Sequence, residues 1–394
     1  MRTVLTILLA CASLGVAAQR SGGSGPVVQL PNGPVRSGPL PDLPHWITDY
    51  QRAPVETAQR LRLLSTNDAR SLRDALVSHS KRVDVMKVPG VADTALMQSA
   101  LAVELEAARF ESPEWWQADG HEIGRFSVAA TAALMEKRTS VDEPAHAWWR
   151  VAIMLTEGNH DSYGLVPPRM GTHPARRFDL ATWASELFPT DKWFALAEAR
   201  GYQLRFGALL EIESPKEGRV QRSNGKWSNP TVLGDASWGQ TAAAKLGVPA
   251  LQSLISDPQY GDEARMRLGY VYWAMGELDK AREAETLVVA GTGPTHVRYI
   301  AAFLLGQMEQ TQGHIAAATD AFGVAQRLYP SAQSASFALA SLLYRDGRVT
   351  EAEQLFAAAL PGPTGAVDPW RRFAEGDLPQ LPVALATLRE AIRR

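Results

Sequence analysis

The chain has 394 residues, 40 Lys and Arg against 42 Asp and Glu, and a net charge of −2. That balance excludes the clustered basic surface by which a protein holds nucleic acid. Hydrophobic residues make up 45%, ample for burial, and the single cysteine, Cys11, excludes a disulfide framework or a cysteine metal site.

The N-terminus reads as an export signal. Arg2 supplies the positive end, Val4 to Val16 the apolar stretch, and Val16-Ala17-Ala18 the small residues before a cleavage near Ala18. The signal thus covers 1–18. Leu8-Leu9-Ala10-Cys11 loosely resembles a lipobox, but Leu9 fits poorly there, so export is expected rather than lipid anchoring at Cys11. Nothing later is apolar over the ~20 residues that a membrane-spanning helix needs. Residues 19–44 are rich in Gly, Ser and Pro with no helical period, so they cannot bury enough apolar surface to offset chain entropy. A flexible leader is expected there, with structure beginning near Trp46. The roughly 350 residues that remain exceed one ordinary core, which implies two domains or a solenoid.

Residues 45–213 carry the helical period repeatedly. Amphipathic helices are expected over 57–79, 94–110, 125–138 and 146–159, and a longer helical stretch over 176–213 broken at Phe188-Pro189. Residues 214–238 interrupt this pattern. Asn224-Gly225 is a type I′ turn dipeptide flanked by Val220 and Trp227, which predicts a short β-hairpin or an exposed loop. Lys216, Arg219, Arg222 and Lys226 make that insertion locally basic, as a solvated insertion or a contact for an acidic partner.

From 239 to 362 one unit recurs, with cores near 262–293, 299–330 and 333–362. Each has an apolar helical run, a turn glycine, and an alanine five positions later. The glycines Gly276, Gly313 and Gly347 are separated by 37 and then 34 residues, and Ala281, Ala318 and Ala352 follow them. A small residue, Gly269, Gly306 or Ala340, stands seven positions before each turn, where two helices would cross closely. Phe322 and Phe356, then Ala325 and Ala359, fill matching places in the second helices, and Pro330 closes the middle unit. This pattern resembles the tetratricopeptide repeat, a helix–turn–helix unit of 34 residues. "PSAQSASFALASLL" followed by "DPW" is further similar to a group of exported bacterial proteins carrying that repeat. Residues 363–394 offer Leu381, Ala384, Leu385 and Leu388 at helical spacing and read as a capping helix over the last repeat. The expected fold is all-α: a solenoid of helix–turn–helix repeats with a short loop or hairpin insertion, its upstream hairpins degenerate.

Gly158-Asn159-His160-Asp161 resembles a motif of two-metal phosphoesterases, and Asp119-Gly120-His121 matches the spacing of another. A two-metal centre needs ligands gathered from several loops, and the other elements of that set are lacking. His173, His296 and His314 stand alone. Gly158-Asn159 reads better as the C-cap of the helix before it. "GHEIG" lacks a second histidine at i+4, no Gly-x-Ser-x-Gly surrounds Gly164, and "GTGPTH" lacks the lysine of a phosphate loop. We therefore expect no catalytic, cofactor-binding or metal-ligating residue and no cofactor.

Eleven tryptophans, with pairs at Trp115-Trp116 and Trp148-Trp149, admit a glycan- or peptidoglycan-binding alternative, but such rings more often fill helix interfaces. Arg267, Tyr270 and Trp273 fall at successive turns of a first repeat helix and are the candidates for a binding groove. The resemblance to tetratricopeptide proteins implies a non-enzymatic scaffold whose groove takes up a protein or peptide. It leaves the partner's identity and the oligomeric state open.

Overall fold

The computed structural model describes residues 42–80, 87–111, 135, 142–157, 180–201, 220–221, 227–228, 247–360, 368–370, 373 and 376–394. The signal, the leader up to 41, most of the helix expected over 125–138, and the turn Asn224-Gly225 lie outside them. The chain divides into two compact units, and the division does not follow the order of the sequence. One unit holds 30–201 and 375–394; the other holds 202–230 and 235–374.

The N-terminal unit opens with α1 (Leu43–Arg52), three residues earlier than Trp46. Asp42 accepts the backbone N–H of His45 at 3.3 Å, which caps the helix. Pro54 ends α1, because a residue before proline is driven out of the helical region; Ala53 has φ −144 and ψ 72. Pro54 then opens α2 (Pro54–Arg62). The single helix expected over 57–79 is two, α2 and α3 (Thr66–Ser80). Ser65 is the reason: its Oγ accepts the N–H of Asp68 at 3.2 Å and donates to the Asp68 carboxylate at 2.7 Å, a local cap that starts a new helix.

α4 (Thr94–Glu111) is the centre of this unit. Ala100 to Val103 are completely buried, and α1, α2, α3 and α5 (Glu143–Glu157) all pack on it. Four helices thus bury their apolar faces against this one. α5 puts Trp148 and Trp149 into this core, the two rings edge to face at 5.1 Å. α6 (Leu180–Leu187) and α7 (192–201) follow, separated at Phe188-Pro189.

β1 (Val220–Gln221) and β2 (Trp227–Ser228) pair antiparallel, with Gln221 opposite Trp227, on either side of Asn224-Gly225. α8 (Val248–Leu254) then leads into three hairpins. These are α9 (Gly261–Ala274) with α10 (Leu278–Ala290), α11 (Thr295–Thr311) with α12 (Ile315–Leu328), and α13 (Gln333–Arg345) with α14 (Val349–Ala359). Within each hairpin the turn glycine takes a left-handed conformation, φ 78 at Gly276, 79 at Gly313 and 81 at Gly347, that few other residues adopt. Ala281, Ala318 and Ala352 are buried behind the turns. α10 packs on α11 and α12 on α13, so each hairpin's apolar face is buried by the next. Arg282 also reaches from α10 to Glu309 of α11 at 2.6 Å.

The helix crossing of the middle hairpin is set by Gly306. A methyl group there would lie 2.6 Å from the ring of Phe322, which is fully buried and has nowhere to move. Gly306→Ala gains helix propensity but overpacks this contact, and overpacking wins. A net loss of about 1 kcal/mol is expected in denaturant unfolding.

α15 (Leu381–Arg393) follows a 3₁₀ turn at Leu378–Gln380 and belongs to the N-terminal unit. Its buried stripe, Leu381, Leu385, Leu388 and Ala391, packs chiefly on α5 and also touches α1, α2 and α4. Residues 368–373 remain with the repeats.

Candidate peptide-binding face

The first helices of the hairpins, α9, α11 and α13, present one continuous set of side chains. On α9, Arg267, Tyr270 and Trp273 are three residues apart and share a face. Arg267 is buried, 3% exposed, with Nε donating to Glu263 Oε1 at 2.8 Å. Tyr270 and Trp273 are half-buried with ring centroids 6.2 Å apart. α11 adds Tyr299 and Phe303, stacked at 6.3 Å, and the first turn of α13 adds the backbone N–H of Ser334.

Across this face lies a piece of the chain itself. The Asp368 carboxylate accepts the Ser334 N–H at 2.7 Å and the Tyr299 hydroxyl at 3.2 Å. α13 has no side-chain cap of its own, so Asp368 supplies the negative charge favoured at its N-terminus. Burial first, and the Asp368 charge second, hold the Tyr299 hydroxyl far above its ordinary pKa, so it remains a donor. Trp370 packs on Phe303 with centroids at 4.7 Å and stacks on Phe373 at 5.1 Å, the planes 9° apart. Phe373 is 7% exposed, lies 5.3 Å from Tyr270, and carries the Arg267 guanidinium 5.1 Å above its ring. Asp368 thus sits at the third hairpin, Trp370 at the second and Phe373 at the first.

The three candidates from the sequence therefore share one face, but Arg267 and Tyr270 are already covered. The residues that cover them were missed. Their signal was available in the "DPW" at 368–370, followed by Phe373, yet 363–394 reads as one capping segment when only helical period is sought. Glu285 was missed as well. It stands sixteen residues after Gly269, as Phe322 does after Gly306 and Phe356 after Ala340. It is completely buried against Gly269, with neither carboxylate oxygen hydrogen-bonded.

Asp119, His121, Gly158 to Asp161 and His173 lie outside the described residues. His314 is tied through Nδ1 to Glu309 at 2.7 Å, and among the described residues no three metal-ligating side chains converge. The strongest polar cluster of the N-terminal unit has a structural task. Asp191 Oδ2 meets His146 Nε2 at 2.8 Å and Arg150 Nη2 at 2.7 Å, while Oδ1 caps α7 through the N–H of Trp193 at 2.9 Å. Burial works to raise this carboxyl's pKa, but bonds from His146, Arg150 and the Trp193 backbone outweigh it and hold it well below the usual range. No tryptophan whose side chain is described is exposed, and among the described residues no helix is long and apolar enough to cross a membrane.

Three hairpins joined in register by small residues, left-handed turn glycines and shared second-helix positions define an α-solenoid of helix–turn–helix repeats. Residues 303–367 match the family model for the tetratricopeptide repeat. The chain thus carries tetratricopeptide repeats over that stretch. The match begins within α11, and the hairpin α9–α10 before it repeats the same turn and crossing. No curated protein matches the chain.

Proposed function

We propose that this chain is an exported, non-catalytic scaffold that binds a protein or peptide through the first-helix face of its repeats. One observation supports the reading: that face already receives Asp368, Trp370 and Phe373 of the same chain by ring contacts, a guanidinium over a ring, and a carboxylate set on a helix N-terminus. These are the interactions by which a helical-repeat surface takes up a peptide, and repeats of this family imply protein partners. Export rests on Arg2 and the apolar stretch Val4 to Val16.

The test is crosslinked capture from the cell envelope with the wild-type chain and a Tyr270→Ser/Trp273→Ser variant matched by circular dichroism. A partner held by the wild type and lost from the variant is the expected result. A partner held equally by both would place binding elsewhere.

A further inference from the structure

We propose that the first-helix face selects an uncharged, extended peptide segment, held through its backbone amides and apolar side chains rather than through charge. The inference rests on the scaffold reading above and adds the chemical class of the ligand.

The repeat itself lays out the surface. Positions 273, 310 and 344 are equivalent, separated by 37 and then 34 like the turn glycines, and hold Trp273, Gln310 and Tyr344. Positions 270, 307 and 341, one helical turn earlier, hold Tyr270, Gln307 and Ser341. Each row takes one residue from each of α9, α11 and α13, and all six residues are half-buried. The Tyr270 ring already meets Phe373 at 5.3 Å, so a ligand finds its contacts chiefly on the other five.

Three observations assign the chemistry. First, neither row holds a charge. Over 268–275, 299–311 and 333–344 the one charged residue is Glu309, which is buried and tied to Arg282 and His314. The second helices carry exposed charge instead: Lys280 and Glu283 on α10, Asp320 and Arg327 on α12, Glu351 and Glu353 on α14. A charged ligand group laid on the half-buried rows would lose water and meet no counter-charge, so it is rejected. Second, the amides of Gln307 and Gln310 both donate and accept, as do the hydroxyls of Ser341 and Tyr344. The free N–H and C=O groups of an extended backbone call for both roles, whereas a helical ligand satisfies its own. Third, the Tyr270 and Trp273 rings meet edge to face, their planes 83° apart. Together they make two walls for an apolar side chain, not the flat platform on which a sugar ring stacks.

The experiment pans a phage-displayed library of random linear peptides on the full chain, with Tyr270→Ser/Trp273→Ser as the background. Peptides enriched on the wild type over that background are expected to carry at most about half the Asp, Glu, Lys and Arg of the input library. One enriched peptide, made synthetically, is then titrated by fluorescence anisotropy. Its affinity should change less than about twofold between about 0.05 and about 0.5 M salt, because salt screens charge pairs and spares neutral contacts. Gln307→Lys/Ser341→Lys places two cations in one row, and the peptides it enriches should turn acidic. If that variant loses its helical circular dichroism, the wild-type enrichment and the salt series decide the matter.

Enriched peptides as charged as the input, or an affinity that falls steeply with salt, would overturn the proposal. Either result leaves the scaffold reading standing, since the enrichment would still depend on Tyr270 and Trp273. No enrichment over the background variant would remove the scaffold reading and the ligand class together.

Discussion

Arg389→Ala is expected to cost the N-terminal unit about 3–5 kcal/mol, the penalty for leaving a buried charge without its partner. Glu104 is buried in α4 with its side chain 1% exposed. Its two oxygens receive Nε and Nη2 of Arg389 at 2.7 Å each, and Oε1 also accepts the Tyr50 hydroxyl at 2.9 Å. The paired fork geometry suits a carboxylate, and arginine alone among side chains supplies it. Removing it leaves Glu104 facing Tyr50 alone, and the hydroxyl of Tyr50 is already held protonated by burial and by the Glu104 charge. Arg389→Lys should recover only part of the loss, since an ammonium cannot match both oxygens. Glu104→Leu/Arg389→Met, which removes both charges together, should recover most of it. Denaturant unfolding of the three variants, each against wild type, checks the order. A loss below about 1 kcal/mol for Arg389→Ala would mean that the pair is solvated and behaves as a surface ion pair.

Glu285→Leu is expected to stabilise the repeat unit by about 2–3 kcal/mol near neutral pH, since it removes a buried polar group that has no hydrogen bond. The equivalent positions in the next two hairpins hold Phe322 and Phe356, so the site already belongs to an apolar layer. Burial raises the Glu285 pKa well above the ordinary carboxylate value. The sign of the pH dependence follows. A carboxyl with a raised folded pKa contributes its stability fully below the unfolded pKa, and that contribution is lost as pH rises toward the folded pKa. Wild-type stability should therefore carry a component that falls as pH rises above about 4.5, the ordinary value for the group. Glu285→Leu should lack that component, and Glu285→Gln should remove the pH slope while keeping a buried polar atom. Thermal unfolding over roughly pH 5 to 8 separates these outcomes. A wild-type slope unchanged in Glu285→Leu would assign the pH dependence to other carboxyls.

The glutamate also shows how a repeat can keep its fold while losing a consensus residue. Gly269 stands where Gly306 stands, and a methyl group there would meet the Glu285 carboxylate at 2.5 Å as one on Gly306 meets Phe322. Close helix crossing is thus preserved with a polar group in the crossing. The cost is local to α9–α10, the same hairpin whose Arg267 and Tyr270 hold Phe373. That hairpin lies before the stretch matched by the family model.

Much of the architecture was legible in the chain. The helical period, the turn glycines and the small crossing residues are local signals, set by backbone conformation and by side-chain size within a few turns. They mark out α9 to α14 and the hairpin at 220–228. Local chemistry also explains the one helix that divided in two, because the Ser65–Asp68 cap acts within three residues. What period alone does not carry is the destination of an apolar surface. Leu381, Leu385 and Leu388 announce a helix with a buried stripe, and say nothing of which core accepts it. Tertiary packing sent α15 to α5 and α4, where Arg389 finds a buried carboxylate, and left Trp370 and Phe373 on the repeats, where aromatic rings and a guanidinium await them. The sequence by itself determined the helices, the turns and the register of the repeats, because those depend on neighbours along the chain. Only the tertiary structure decided what occupies the binding face, because complementarity between residues a hundred positions apart has no period to read.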